Sequence, residues 1–193
     1  MIKKEGEAMN NKQSGEWFFW VKLSVIAIVC AIVVRGFLFS PIVVDGPSMQ
    51  PTLYDNDRMI VNKFIYYLSK PNRFDVVVFH ASEEKDFIKR VIGLPGEHVA
   101  VKDNELYIND EEINQDFLKT EDMKDMDHHN ETEDFTLEEL PGAYQEIPDG
   151  YVLVLGDNRT NSTDSRVFGL VSMNEIVGKT SLIYWPLNRV GLL

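Results

Sequence analysis

Hydrophobic and polar positions divide the chain into stretches of distinct texture. From Trp17 to Val34 every position is apolar except Lys22 and Ser24, and Phe37-Leu-Phe39 extends the run past Arg35-Gly36. A helix of about 20 apolar residues crosses a bilayer, so residues 17–39 are long enough to do so. Beyond residue 40 the apolar positions come in short bursts separated by turn formers, the texture of strands. The pattern predicts strands at 42–45, 58–63, 74–80, 87–92, 98–102, 106–109, 151–155 and 179–185. Asp103-Asn104 tolerate a left-handed backbone and predict a tight hairpin over 98–109. Short helical turns are expected at 64–69 and 172–177. Strands at this spacing predict a mainly β fold, an antiparallel β sandwich or barrel-like domain behind one N-terminal transmembrane helix.

Residues 110–139 break the alternation, with 13 acidic and two basic side chains. Such composition predicts a solvated, mobile insertion. A cation site would be the sharper reading. The segment lacks ordered ligand spacing, and adjacent His128 and His129 would point to opposite sides. No metal site and no cofactor are assigned.

Charge adds an orientation. The net charge is −12; residues 1–35 hold five basic against three acidic side chains, and the remainder 14 against 28. So acidic a domain repels a phosphate backbone, which argues against nucleic acid as a partner. Lys3, Lys4, Lys12 and Lys22 lie within or before the apolar run, whereas after Arg35 the next basic residue is Arg58. The positive-inside rule then predicts a cytoplasmic tail at 1–16, an anchor at 17–39 and an extracytoplasmic domain at 40–193. A cleavable leader would have a shorter apolar core and small residues at its end; here bulky Phe37-Leu-Phe-Ser-Pro41 follows. Cys30 is the single cysteine, so the domain must rest on its core rather than on disulfides.

Three segments carry candidate chemistry. In Gly46-Pro-Ser-Met-Gln-Pro-Thr-Leu53 two prolines brace Ser48, fixing the direction of a side chain and a backbone N–H, as an oxyanion site requires. Gly46 would let a substrate backbone approach closely. A serine is a weak nucleophile unless a base takes its proton, and the candidate is Lys89 in Phe87-Ile-Lys-Arg-Val-Ile-Gly-Leu-Pro-Gly96. On a strand Lys89 shares a face with Phe87 and Val91, and Arg90 lies opposite with Ile88 and Ile92. Burial would lower the lysine pKa toward the working range of a base. A surface strand with both cations in water fits the same alternation. The third segment, Gly156-Asp-Asn-Arg-Thr-Asn-Ser-Thr-Asp-Ser-Arg166, is a polar loop. Its alternating charges suit internal ion pairs and its hydroxyls could orient a neutral amine. No Gly-x-Ser-x-Gly elbow, His-Glu-x-x-His or glycine-rich phosphate loop is present.

In their order behind an apolar anchor, these segments resemble the boxes of the bacterial type I signal peptidases in their short, Gram-positive form. Asn56-Asp-Arg-Met-Ile-Val-Asn62 is similar to the strand that follows the family's nucleophile. The resemblance implies a membrane-bound serine endopeptidase that removes signal peptides from exported preproteins, delivered by the secretion translocase, after small-x-small sites. It implies Ser48 as nucleophile, Lys89 as general base and Ser162 as the hydroxyl that orients the lysine. Asp164 and Arg166 match a structural acid–base pair, with Asp157 and Arg159 supporting the same loop. Ile42, Val44, Met49, Leu53 and Ile88 would line the substrate pockets beside Gly46. Gly46 stands where some relatives carry a serine that supplies a second oxyanion donor. Membrane lipid would be the other partner. A self-cleaving repressor-type protease would carry a DNA-binding domain in place of the anchor. An inert tethered module or an anchored cation-binding protein would lack turnover.

Overall fold

The structure is a computed structural model, and it describes residues 2–33, 36, 38–82, 85–118 and 131–193. The chain divides into two units, Met1–Phe39 and Ser40–Leu193. In the first, helix α1 (Ile2–Val33) carries exposed apolar side chains, among them Trp17, Trp20 and Ile32. Among the described residues, no helix is long and apolar enough to cross a membrane. The helix side chains that are described run only from Trp17 to Ile32, short of the about 20 residues of a crossing. Val34, Arg35 and Phe37 of the expected anchor lie outside the described residues.

The second unit is mainly β. Its strands are β1 (Phe39–Val43), β2 (Arg58–Asn62), β3 (Val76–Ser82), β4 (Lys85–Gly93), β5 (Val99–Lys102), β6 (Glu105–Ile108), β7 (Glu111–Ile113), β8 (Phe135–Thr136), β9 (Tyr151–Leu155), β10 (Val171–Ser172), β11 (Ile176–Trp185) and β12 (Gly191–Leu192). The larger sheet runs β1-β2-β11-β3-β4-β9-β10, with β12 added on β11; the smaller runs β7-β6-β5-β8. Two single-turn helices, α2 (Ile65–Leu68) and α3 (Ser165–Phe168), fill the connections.

The sequence of β9 accounts for its central place. Leu153 and Leu155 enter one apolar cluster, with Ile92 of β4 and Val99 and Val101 of β5. Val152 and Val154 enter another, with Val77, Phe79 and Val91. Period-two alternation of large apolar residues thus buries both faces of the strand, at about 1.5–3 kcal/mol per side chain. A Cβ at Gly93 would stand 2.5 Å from Ile147 and 2.7 Å from Val99. Its absence lets the small sheet close onto the large one. The β5–β6 hairpin turns at Asp103 and Asn104, with φ of 51° and 68°, as the residue types predict.

Residues 110–139 depart from the expectation of a wholly solvated insertion. β7 and β8 form the two edges of the smaller sheet, Phe135 and Leu137 are core residues, and Gln115 and Thr132 are buried. The apolar residues here are isolated among acids, so strands this short leave no readable period. Residues 119–130, including His128 and His129, lie outside the described residues.

Candidate active site

The segment after β1 coils into a turn, with Gln50 N–H donating to Pro47 O at 3.0 Å and Leu53 N–H to Met49 O at 2.9 Å. Met49 and Leu53 drive the turn inward, packing with Val44, Met59, Val76 and Ile183. Gly46 enters it at φ 94°, a backbone that favours glycine, and its N–H is taken by Asp55 Oδ1 at 3.0 Å. Anchored on both flanks, Ser48 opens onto a groove of about 790 Å³.

Lys89 reaches the same groove from the middle of β4. Its Nζ donates to Ser48 Oγ at 2.7 Å and stands 5.3 Å from the centre of the Phe87 ring. The residue is only 3 % exposed. Burial pulls the amine down to about 8, against the opposing pull of the Asp164 and Asp157 carboxylates, with the Arg166 cation adding to the fall. Arg90 on the opposite face is also buried, at 6 %, because the sheet is covered on both sides. Its guanidinium lies 4.1 Å over the Phe117 ring and donates to Phe74 O at 3.0 Å.

The loop after β9 holds the rest. Asp157 does not pair within the loop. It accepts from Arg90 Nε and Nη2 at 2.9 and 2.6 Å and from Thr52 Oγ1 at 2.5 Å. Asp164 and Arg166 do pair, through two contacts of 2.8 Å. Although burial works against its charge, the Arg166 guanidinium and the Gly156 N–H hold the Asp164 carboxyl below its ordinary value. Asp164 also caps α3, and Arg166 donates to Arg159 O at 2.7 Å. Arg159 is 1 % exposed and held by three neutral acceptors: Gly156 O, Thr132 Oγ1 and Gln115 Oε1, at 3.0, 3.0 and 2.6 Å. Burial lowers its pKa to about 10. Ser162 also lines the groove; its Oγ is closed off from solvent and lies toward the Asp164 carboxylate, helping to hold that group ionised. A Cβ on Gly156 would collide with Ser162 Oγ and with Ser48 O, so glycine allows the loop to meet the turn.

Ile42, Val44, Gly46, Met49 and Ile88 line the groove together with Ser48, Lys89 and Ser162. Leu53 does not; it is fully buried beneath the turn, in the core. Sequence reasoning passed over Thr52, Asn158, Gln115 and Thr132, and placed Arg90 opposite Lys89 without giving it a partner. The run of hydroxyls and amides around them was visible, but their partners are far away in the chain. Among the described residues no group of histidine, cysteine or acidic side chains is placed to hold a metal ion.

The fold and the groove belong to a serine endopeptidase. A family model described as "Signal peptidase, peptidase S26" matches residues 17–185, and the chain belongs to that family. It is 43% identical over 178 residues to signal peptidase I of Bacillus caldolyticus, covering 92% of this chain and 94% of that protein. Against signal peptidase I of Bacillus amyloliquefaciens it is 39% identical, with 98% of each chain covered. The crystal structure of a signal peptidase I from Enterococcus faecalis aligns at a TM-score of 0.52 and 41% identity, over 57% of this chain and 97% of that one. By family, this chain is a membrane-associated peptidase of the signal peptidase type.

Proposed function

We propose that the chain removes N-terminal signal peptides from exported preproteins through a Ser48–Lys89 dyad, cutting after small-x-small sites. The observation that carries this reading is the 2.7 Å contact between Ser48 Oγ and a buried amine whose pKa is lowered to about 8. When neutral, the amine takes the Oγ proton as Oγ attacks the scissile carbonyl carbon. The negative charge passes to the carbonyl oxygen, facing the Ser48 N–H. Collapse breaks the C–N bond, and the new ammonium returns its proton to the leaving amine. An ester to Ser48 remains. Water gives a proton to the amine as its oxygen attacks the ester carbon. The C–Oγ bond then breaks, Ser48 Oγ takes that proton from the ammonium, and the signal peptide leaves as a carboxylic acid that ionises in solvent. Ser162, whose buried hydroxyl lines the groove with Lys89 and Ser48, is the group to steady the amine. Asp157, Arg159, Asp164 and Arg166 keep its loop in place.

The groove suits an extended peptide. β1 is an edge strand, and β9 pairs with β4 only from Arg90 onward. On that side residues 85–89 therefore have no strand partner among the described residues. A peptide laid between residues 42–45 and 86–89 would complete the ladder and place alternate side chains against Ile42, Val44, Met49 and Ile88. The exposed apolar side chains of α1 between Trp17 and Ile32 and the basic residues Lys3, Lys4 and Lys12 support an anchor in membrane lipid at 17–39. Residues 1–16 are then cytoplasmic and 40–193 extracytoplasmic, where the translocase delivers preproteins. The test is incubation of the detergent-solubilised chain with a preprotein bearing an Ala-x-Ala site, beside Ser48→Ala. Cleavage after the second alanine by the wild type alone is expected. Equal cleavage when phenylalanine replaces that alanine would remove the small-pocket reading.

A further inference from the structure

The Asn158 side chain is buried beside the nucleophile and has no role in the chemistry above. It donates from Nδ2 to Pro47 O at 3.2 Å, while its backbone N–H donates to Ser48 O at 3.1 Å. One residue therefore donates to the carbonyls on either side of Ser48, and shares the Pro47 oxygen with the Gln50 N–H, which reaches it at 3.0 Å from within the turn. Its amide oxygen faces Thr160 Oγ1 at 3.5 Å, which leaves the NH2 end for Pro47.

The consequence follows from peptide geometry. The Pro47 carbonyl and the Ser48 N–H belong to one planar unit and, in a trans peptide, point in opposite directions. Fixing the carbonyl oxygen fixes the N–H. Asn158 does not line the groove, whereas Pro47 and Ser48 do. A carbonyl drawn toward Asn158 thus turns the N–H away from it, to the groove side. None of the described residues accepts a hydrogen bond from that N–H, and the neighbouring Gly46 N–H is committed to Asp55.

We infer that Asn158 is a positioning residue that aims the Ser48 N–H at the oxygen of the scissile carbonyl. This rests on Ser48 being the nucleophile. A donor aimed before reaction costs no reorganisation in the transition state, and removing one outright costs on the order of 10²–10³ in kcat. Misaiming it should cost less, about 10–100-fold.

The experiment uses the full chain in detergent with Asn158→Ala and Asn158→Asp. The aspartate is isosteric but has no hydrogen to give Pro47 O, and the backbone bond to Ser48 O survives in both. Two probes share one Ala-x-Ala sequence. A peptide aldehyde adds Ser48 Oγ to its carbonyl carbon, and its oxygen carries the charge or the transferred proton. The matching peptide alcohol has no carbonyl to attack. The expected result is a 10–100-fold fall in kcat with KM within about twofold, a matching loss of aldehyde affinity and unchanged alcohol affinity. Unchanged kcat, or unchanged aldehyde affinity, would overturn the inference. So would equal losses for aldehyde and alcohol, which mark a loosened groove. If Asn158→Ala does not fold, Asn158→Asp carries the same expectations. Ser48→Ala separates the two readings. Retained turnover there refutes the nucleophile itself, whereas its loss beside normal Asn158 variants refutes the aiming role alone.

Discussion

Arg90 grips Asp157 with two nearly parallel hydrogen bonds, Nε to Oδ1 at 2.9 Å and Nη2 to Oδ2 at 2.6 Å. The pair joins β4, one residue from Lys89, to the loop that carries Ser162. Thr52 Oγ1 bonds the same carboxylate, and Arg189 Nη2 holds Thr52 O at 3.2 Å. The Ser48 turn, the lysine strand and the loop therefore meet at a single buried carboxylate.

Removing one member of this pair should be costly. Asp157→Ala leaves a buried guanidinium without its charge partner and should destabilise the domain by about 3–5 kcal/mol. Denaturant unfolding measures it. Arg90→Lys keeps the charge but loses the planar fork, and should lower both stability and turnover. Wild-type unfolding midpoints in both variants would refute the assignment.

On the proposed dyad, the pH dependence of turnover should follow Lys89. The protonated amine has no lone pair for the Ser48 proton, so the rate should rise with pH through about 8. Lys89→Arg should be nearly inactive while folded, because guanidinium stays protonated. A pH–rate profile on a single-site preprotein substrate tests the first, and a turnover assay the second.

The same shift makes a statement about stability. The amine titrates near 8 in the folded chain against an ordinary 10.5. Between those values the unfolded chain holds the extra proton, so stability should rise with pH from about 8 to 10.5 and stay at its lower level below 8. Lys89→Met, inactive, should lose this slope and gain up to about 3 kcal/mol at pH 6–7. Parallel thermal melts of the two proteins across this pH range decide it.

Shortening the acidic segment should depend on where the cut is made. Replacing 115–138 by a Gly/Ser linker removes Gln115 and Thr132 from Arg159, and Phe135 and Leu137 from the core. The product should unfold at much lower temperature and lose turnover. Replacing 119–130 alone leaves those contacts in place and should preserve both. Equal behaviour of the two deletions would refute the bracing role of the flanks.

Orientation across the membrane has its own test. Protease added to intact protoplasts should reach sites after residue 40 and spare a tag at the N-terminus. A digested tag beside a protected domain would reverse the topology.

Much of this was legible in the sequence, for reasons that differ by element. Tyr151–Leu155 is an unbroken apolar strand between turn residues, and its boundaries can be read directly. The Asp103-Asn104 hairpin follows from two residues that tolerate positive φ. The two- and three-residue strands β7, β8, β10 and β12 are too short for any period. Nor could alternation choose between Lys89 and Arg90, since the sheet is covered on both faces. The ordered boxes pointed to Ser48, Lys89 and the 156–166 loop. The contacts of Thr52 with Asp157 and of Asn158 with Pro47 span 105 and 111 residues, a separation at which local pattern carries no information.

Gly156 sets the finest tolerance in the molecule. Between the carbonyl of Ser48 and the hydroxyl of Ser162 there is room for a hydrogen atom and not for a methyl group. Any side chain there would act as a wedge, prying the Ser48 turn from the loop and displacing both groups in one movement. The spacing of the two halves is thus fixed by where matter is left out, and it could be lost by adding a single carbon.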